Sequence, residues 1–570
     1  MVLTYAPLLP VGLPPFGPAA TRTSQPRAAP GRPGSPENVT GGLGGGYVRH
    51  GMRTVGLTAV AAAVIAAVGG LGSPVQSVAV ATTCTGGTSA DFNGDGTTDT
   101  VIADPLATVN GAERAGLVRV VLGGGKGTFE ISQATAGMNA TPERADQFGF
   151  SRASYDVDGD GCTDLVVSAP YEDVPKGGSD LVDAGGIWVI HGTPNGIGSG
   201  STIDSYTQAQ LDDSTVTEEY DRFGFALKAG ATSAGRPYLV VGVPGENVTV
   251  DGKDYADAGC VHYVQGATKT TVNHDDPGVP GVVEAHDRFG YSLAATTRYF
   301  AVGAPGEGIG DQGFAGAVTV FNHTITGGAP TPLAGLDQGP AGEGLSGVAE
   351  AGDGFGTSIS MTGYRPGDQT YNSDTLLAIG TPGEDIGTAS DAGSATVVRI
   401  KPDGTYTEVA TMDASVTDVE GDPAPGDFLG QRVTIANTDP GVVGSANTIR
   451  LAVGIPGREV GSAQDAGAVQ IFRPLDAAIG AKDKILTRAP SGSVLPGAAT
   501  ARDYAGIAMT SGSANLYLGV PYSKAPDTPR GVLYAVPWTD VDGSTSSGTT
   551  TYKPGADGLP DTGASFGVVG

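Results

Sequence analysis

Positive charge is scarce in this chain: 32 lysines and arginines stand against 60 aspartates and glutamates, a net charge of −28 over 570 residues. Such an acidic surface repels a phosphate backbone, which excludes nucleic acid as a partner and favours cations or basic ligands. Cysteine is scarcer still, with Cys84, Cys162 and Cys260 alone. A disulfide-dense scaffold is therefore excluded, and an odd number cannot all pair. Of six histidines, no two sit at metal-ligand spacing, and no Gly-x-Ser-x-Gly or Cys/His nucleophile arrangement exists. No catalytic residue is expected, so the chain reads as a non-enzyme.

Long apolar runs are also missing. The run at 55–68 is shorter than the roughly 20 residues a membrane span requires, so no span is expected in the mature chain. With Arg49 and Arg53 before it and Ala79-Val-Ala81 after it, the segment 52–81 has the order of a secretory signal peptide cut after Ala81. Residues 1–51, rich in proline and glycine, read as a disordered extension or a misassigned start. Export places the protein in the extracellular space or at the cell envelope, where disulfides persist.

What is present is a repeat. An acidic residue followed three places on by glycine recurs as Asp146-Gln-Phe-Gly149, Asp221-Arg-Phe-Gly224, Asp287-Arg-Phe-Gly290, Asp353-Gly-Phe-Gly356, Asp427-Phe-Leu-Gly430 and Asp503-Tyr-Ala-Gly506, at intervals of 66 to 76 residues. Each leads to an apolar strand ending in proline (Pro170, Pro244, Pro305, Pro382, Pro456, Pro521). A glycine and a second apolar strand then follow, as in Gly186-Ile-Trp-Val-Ile190. An earlier unit, with Val101-Ile-Ala-Asp-Pro105 and Gly116-Leu-Val-Arg-Val-Val121, lacks the opening phrase, which makes seven units. A fixed period of this size marks an array of like units. Short strands of period two, punctuated by Gly, Pro and Asp, predict an all-β fold, and four-stranded sheets repeated radially give a seven-bladed β-propeller over 82–538. Cys84 and Cys162 lie near corresponding points of the first two units and form a candidate bridge, leaving Cys260 as a small apolar strand residue.

Together the Phe-Gly phrase, the Gly-Ala-Pro-like phrase and the Asp-rich loop between them resemble the FG-GAP repeats of the integrin α-subunit N-terminal propeller and its bacterial relatives. The resemblance covers roughly 82–538 and implies a seven-bladed propeller with loops on two faces.

Two segments carry the clearest chemistry: Asp91, Asn93, Asp95, Thr97 and Asp99 in the first unit, and Asp156, Asp158, Asp160, Cys162 and Asp164 in the second. Side-chain oxygens fall at positions 1, 3, 5 and 9 of each, and the carbonyl of Thr97 or Cys162 completes the set. Ca²⁺ takes six to eight oxygen ligands, which alternate residues of a tight Gly-containing turn supply. An EF-hand would place Glu at position 12, where Ile102 and Val167 stand, so the loops resemble the β-hairpin calcium loops of FG-GAP blades instead. The five later units lack these acids, a departure from integrin α-subunits, whose loops usually lie in later blades.

A further recurrent stretch after the proline phrase, with Glu246, Asp257, Glu307, Glu384, Asp385, Asp391, Glu459 and Asp465, is expected to form an acidic rim on one face. The tail 539–570 reads as a Ser/Thr/Gly-rich linker and a candidate ring-closing strand, because Ser565-Phe566-Gly567-Val-Val repeats the phrase the first unit lacks. The rival reading of Leu559-Pro-Asp-Thr-Gly563 is a sortase signal, although only seven residues follow it. Asn139, Asn247 and Asn322 head glycosylation sequons. The expected function is an adhesion module that binds a protein or glycan ligand on an exposed propeller face. The alternatives are a protein of the glycosylphosphatidylinositol phospholipase D kind and a structural envelope protein.

Overall fold

A computed structural model of the protein describes residues 84–85, 90–198, 200–339, 344–489 and 493–569. The expected signal peptide at 52–81 and the extension before it lie outside the described residues. The chain forms seven consecutive antiparallel sheets, one per repeat, set in a ring as a seven-bladed β-propeller. Blade 2 shows the pattern: Arg152–Tyr155 innermost, then Asp164–Ala169, Gly186–Ile190 and Ile203–Tyr206 outermost. Among the described residues helix is confined to short pieces such as Gln208–Leu211 and Trp538–Gly543.

Second strands such as Asp164–Ala169, Asp374–Thr381 and Ile449–Ile455 are buried along their whole length. A strand covered on both faces reads as a continuous apolar run rather than an alternation, and here both faces meet neighbouring blades. Among the described residues the core is accordingly divided into seven apolar clusters, each drawn from two consecutive blades, and a small eighth within blade 1 (Ala107, Val109, Ala115 and Leu117). Phe148, Phe223, Phe289 and Phe355 of the repeated phrase are all buried in these gaps.

The blades are joined by one recurring backbone contact. The amide of the phrase's third residue donates to the carbonyl that precedes the previous blade's glycine: Phe148 to Ala115 (2.7 Å), Phe223 to Ala184 (3.0 Å), Phe289 to Ala258 (2.9 Å), Phe355 to Ala315 (2.8 Å), Leu429 to Ala392 (3.0 Å) and Ala505 to Ala466 (2.9 Å). Gly116, with φ 86°, lies so close to Phe148 that a Cβ would collide with its carbonyl, and the equivalent glycines of the later blades are held the same way. Glycine is needed there both for positive φ and for close approach.

The seventh contact closes the ring. Phe566 donates to the Arg530 carbonyl at 3.0 Å, and Val568 pairs antiparallel with Ala103, the position an innermost strand of blade 1 takes beside Thr100–Asp104, Leu117–Leu122 and Gly127–Ile131. The closing phrase carries Ala564 where the others carry aspartate, and Asp104 supplies the missing carboxylate from the opposite side. It accepts from the Ala564 amide at 3.0 Å and the Ser565 amide at 2.8 Å. The boundary expected at 538 is thereby corrected. Thr550–Tyr552 is the outermost strand of blade 7, and Asp542 of the supposed linker binds Arg450 and Arg473, each at 2.9 Å.

Removal of residues 560–570 is expected to lower the melting temperature sharply, and Phe566→Ala to cost ~3–5 kcal/mol in urea unfolding. A truncated chain that melts with the full-length protein would contradict closure by the tail.

Candidate calcium loops and the blade junctions

The two acidic loops lie side by side across the junction of blades 1 and 2. Thr163 donates its amide to the Asp91 carbonyl at 2.9 Å and accepts the Asp91 amide on its hydroxyl at 3.2 Å. A disulfide joins Cys84 to Cys162, and Thr85 donates to the Gly94 carbonyl, so the bridge ties the start of the described chain to both loops. Cys260 is free and buried.

Each loop is wound around its first aspartate. Asp91 accepts the amides of Asp95 (3.0 Å) and Gly96 (2.8 Å), and Asp156 accepts those of Gly159 (2.7 Å) and Gly161 (3.1 Å). The last aspartates are buried and staple the loop ends. Asp99 accepts from Phe92 and Gly123, and Asp164 from Val157 and Gly192. Burial pushes Asp99 upward and Asp164 up to about 6.

In the second loop one carboxylate oxygen from each of Asp156, Asp158 and Asp160 falls within a single 4.8 Å group. Three exposed carboxylates so close repel one another unless a cation lies between them. In the first loop the Asn93 Oδ1 is buried and without a hydrogen-bond partner, an atom that a bound ion would satisfy. Both donor sets are all-oxygen, the kind a hard cation such as calcium takes. Of the loop carboxylates among the described residues, however, only Asp156, Asp158 and Asp160 are gathered so closely, and Asp164 is grouped with Asp158 and His191 instead. The Thr97 and Cys162 amides donate to Asp95 and Asp160, at 2.9 and 2.7 Å, holding those residues inside the turns.

Two neighbours escaped the sequence reading. Lys126 Nζ lies 2.5 Å from Asp95 and, with burial opposing, its ammonium holds that carboxyl down at about 2. The first loop thus carries a built-in cation. His191 stands beside the second loop, 3.4 Å from Asp164 and 3.5 Å from Asp158. Burial alone would lower its pKa, but the Asp204 hydrogen bond at 3.1 Å and the nearby carboxylates raise it. Neither residue is near its loop in sequence, so only pairing of the strands brings them in.

The expected acidic rim is corrected in part. Asp385, Asp391 and Glu459 are exposed, but Glu307 is buried and Glu246 and Glu384 turn inward. Asp257, Asp391 and Asp465 sit at φ 50–52°, the left-handed turn conformation that Asp tolerates, which accounts for their recurrence. Each inward glutamate meets the residue two places beyond an outermost strand. Gln208 donates to Glu246 and Gln338 to Glu384, both at 2.6 Å, while Gln133 donates to Glu172. His274 takes that place at 3.1 Å from Glu307 and 3.6 Å from Asp287. The buried aspartate of the repeated phrase completes each group. Burial, with the neighbouring carboxylates adding to it, raises Glu172 and Asp221 to about 8, Glu246 and Asp353 to about 7, and Asp146 to about 6. Burial would lower His274, but the Asp287 and Glu307 carboxylates beside its Nδ1 lift it to about 9. Where no second carboxyl is present, arginine answers the aspartate: Arg458 with Asp427 and Arg488 with Asp503, both at 2.8 Å.

A seven-bladed ring with paired hairpin loops of carboxylates defines the class, and the comparisons agree with it. The FG-GAP repeat family matches residues 148–190, and the FG-GAP-like repeat family matches 91–167, a stretch containing both loops. Integrin alpha-PS2 of Drosophila melanogaster is 34% identical over 163 residues, 27% of this chain and 11% of that protein. The chain therefore spans about a tenth of the length of the curated relative it matches. Among solved structures, Saccharomyces cerevisiae Sqt1 is similar over 71% of this chain and 75% of its own, at 10% identity and TM-score 0.33, a level that carries no argument. Residues 91–190 thus match FG-GAP repeats, within a ring that is similar in part to an integrin α-subunit.

The junction carboxyls set a pH dependence. Unfolded carboxyls ionise near pH 4, whereas these folded ones keep their protons to about pH 7 or 8. The folded state binds more protons across that window, so their contribution to stability is full below pH 4 and is lost as pH rises to about 8. His274 acts with the same sign between its unfolded value and about 9. Urea midpoints are expected to fall from pH 5 to pH 8, and Glu172→Gln to flatten the curve. A midpoint that rises over this range would contradict the assignment.

Proposed function

We propose that this protein is an exported, calcium-stabilised propeller that binds a protein or glycan ligand through loops on one of its faces, without catalysis of its own. The observation that carries the reading is the meeting of Asp156, Asp158 and Asp160 in a hairpin that is disulfide-linked to the segment beside the first loop. Asp91, Asn93, Asp95 and Asp99, with the Thr97 carbonyl, would hold one ion. Asp156, Asp158, Asp160 and Asp164, with the Cys162 carbonyl, would hold the other. Bound calcium supplies positive charge that relieves carboxylate repulsion and fixes both turns.

A rigid ring that presents loops from every blade is the arrangement on which binding residues collect, and the integrin-α-like character supports a protein ligand outside the cell. Among the described residues no helix is long and apolar enough to cross a membrane.

Calorimetric titration is expected to give calcium binding in the ~10⁻⁴–10⁻³ M range of extracellular modules, with stabilisation of ~1–3 kcal/mol per site at saturating metal. Asp158→Asn should abolish the second site and leave the first. Pull-downs from cell-surface fractions with the whole protein should recover a partner that is lost in EDTA. A titration without heat, or the same partners with and without chelator, would overturn the reading.

A further inference from the structure

The ring axis holds a feature that neither the calcium loops nor the acidic junctions involve. The innermost strands enclose a cavity of about 240 Å³, bordered by Phe150, Phe225 and Tyr291 on one side and by Lys228 and Arg432 within. The three rings form a continuous arc, with centroids 5.0 and 4.9 Å apart. Lys228 lies on the innermost strand of blade 3, Ala226–Ala231, and Arg432 immediately precedes that of blade 6, Val433–Asn437. Arg152, on the innermost strand of blade 2, is buried beside them.

These cations have no carboxylate. Among the described residues none of the three takes part in an ion pair of 4 Å or less, although the chain has almost two acids for every base. Among the described residues the hydrogen-bond partners of these side chains are neutral: Arg152 donates to the Gly149 carbonyl at 2.5 Å and Arg432 to the Met509 carbonyl at 3.2 Å. Lys228 is held down at about 8, by burial first and then by Arg432 and Arg152, and Arg152 at about 10 by burial and Arg432. Like charges collected in a partly dehydrated cavity cost free energy that a counter-ion removes.

Serine hydroxyls also line the wall. Ser151, Ser358 and Ser360 each accept an amide of the next innermost strand or the one beyond its start, from Leu227 (3.1 Å), Val433 (3.0 Å) and Ile435 (3.1 Å). An oxygen that accepts keeps its own O–H to donate. Among largely apolar walls that include Leu293, Ile359 and Ile507, the cavity thus carries cationic and hydroxyl donors, the complement of an anion with several oxygens.

We propose that the axial cavity is a binding site for a small multivalent oxyanion, tetrahedral or a compact polycarboxylate, held by Lys228 and Arg432 with Arg152 behind them and serine hydroxyls around it. The site is separate from the calcium loops, and its ligand has the opposite charge.

Sulfate is the first probe, because at millimolar concentration it does not strip calcium from the loops. Phosphate and citrate are run in parallel, all against chloride at matched ionic strength. Titration calorimetry and melting curves of the whole protein are expected to show saturable binding of at least one of the three and a chloride-insensitive rise in melting temperature. Binding of sulfate and phosphate without citrate identifies a tetrahedral ligand, and citrate alone a polycarboxylate. Lys228→Met and Arg432→Gln should each weaken that binding about 10- to 100-fold, the effect of losing one charged hydrogen bond. Lys228→Met should also melt higher than the wild type in anion-free buffer, the opposite of what loss of a structural residue does. The proposal is overturned if none of the three anions binds the wild type, if the variants bind as well as it does, or if Lys228→Met melts lower without anion.

Discussion

The contact between a glycine at the start of one blade's strand and the backbone of the next blade's Phe-Gly phrase holds this ring together. Each sheet is self-sufficient in hydrogen bonds along its strands, but a sheet alone leaves two apolar faces bare. The amide of Phe148 reaching the Ala115 carbonyl, repeated around the ring, sets the distance at which two such faces meet. Any side chain on Gly116 would strike the Phe148 carbonyl, and the buried phenylalanine beside it fills the space so defined. Seven cores rather than one follow from this, each belonging to a pair of blades.

The polar architecture inverts what the net charge suggests. With 60 acids in the chain, carboxyls occupy the buried junctions, where burial holds them protonated or a histidine or arginine neutralises them. Three cations of the rarer sign, Arg152, Lys228 and Arg432, are gathered at the axis without acidic partners among the described residues. The charged loops at the junction of blades 1 and 2 lie apart from both. Three kinds of ionic environment are therefore sorted by position in the ring: protonated or paired acids between blades, unpaired bases at the centre, and clustered carboxylates in two neighbouring hairpins.

Much of the fold was legible in the sequence because the repeated phrases are local. Asp146-Gln-Phe-Gly149 and its copies count the blades, and Phe566-Gly567 locates the missing one. The last blade's outermost strand was not legible: Thr550–Tyr552 lies in a Ser/Thr/Gly-rich stretch whose pairing comes only from the neighbouring strand. The acidic loops were readable from their alternating oxygens, whereas Lys126 and His191 enter them through strand pairing across dozens of residues. The inward turn of Glu246, Glu307 and Glu384 was missed because a glutamate after a Pro-Gly turn reads as exposed. Its partners Gln208, His274 and Gln338 stand two residues beyond a strand end, a spacing visible only once the strand ends are known. Arg152, Lys228 and Arg432 occupy different places in their repeats, so no periodicity announces that they share one cavity.

Amide hydrogen exchange at the seven junction residues tests the central claim most directly. Phe566 is expected to exchange as slowly as Phe148, Phe223, Phe289, Phe355, Leu429 and Ala505, since all seven amides make the same bond in one closed ring. Exchange of the Phe566 amide at the rate of an unstructured tail, with the other six protected, would contradict a ring closed by its own C-terminal segment.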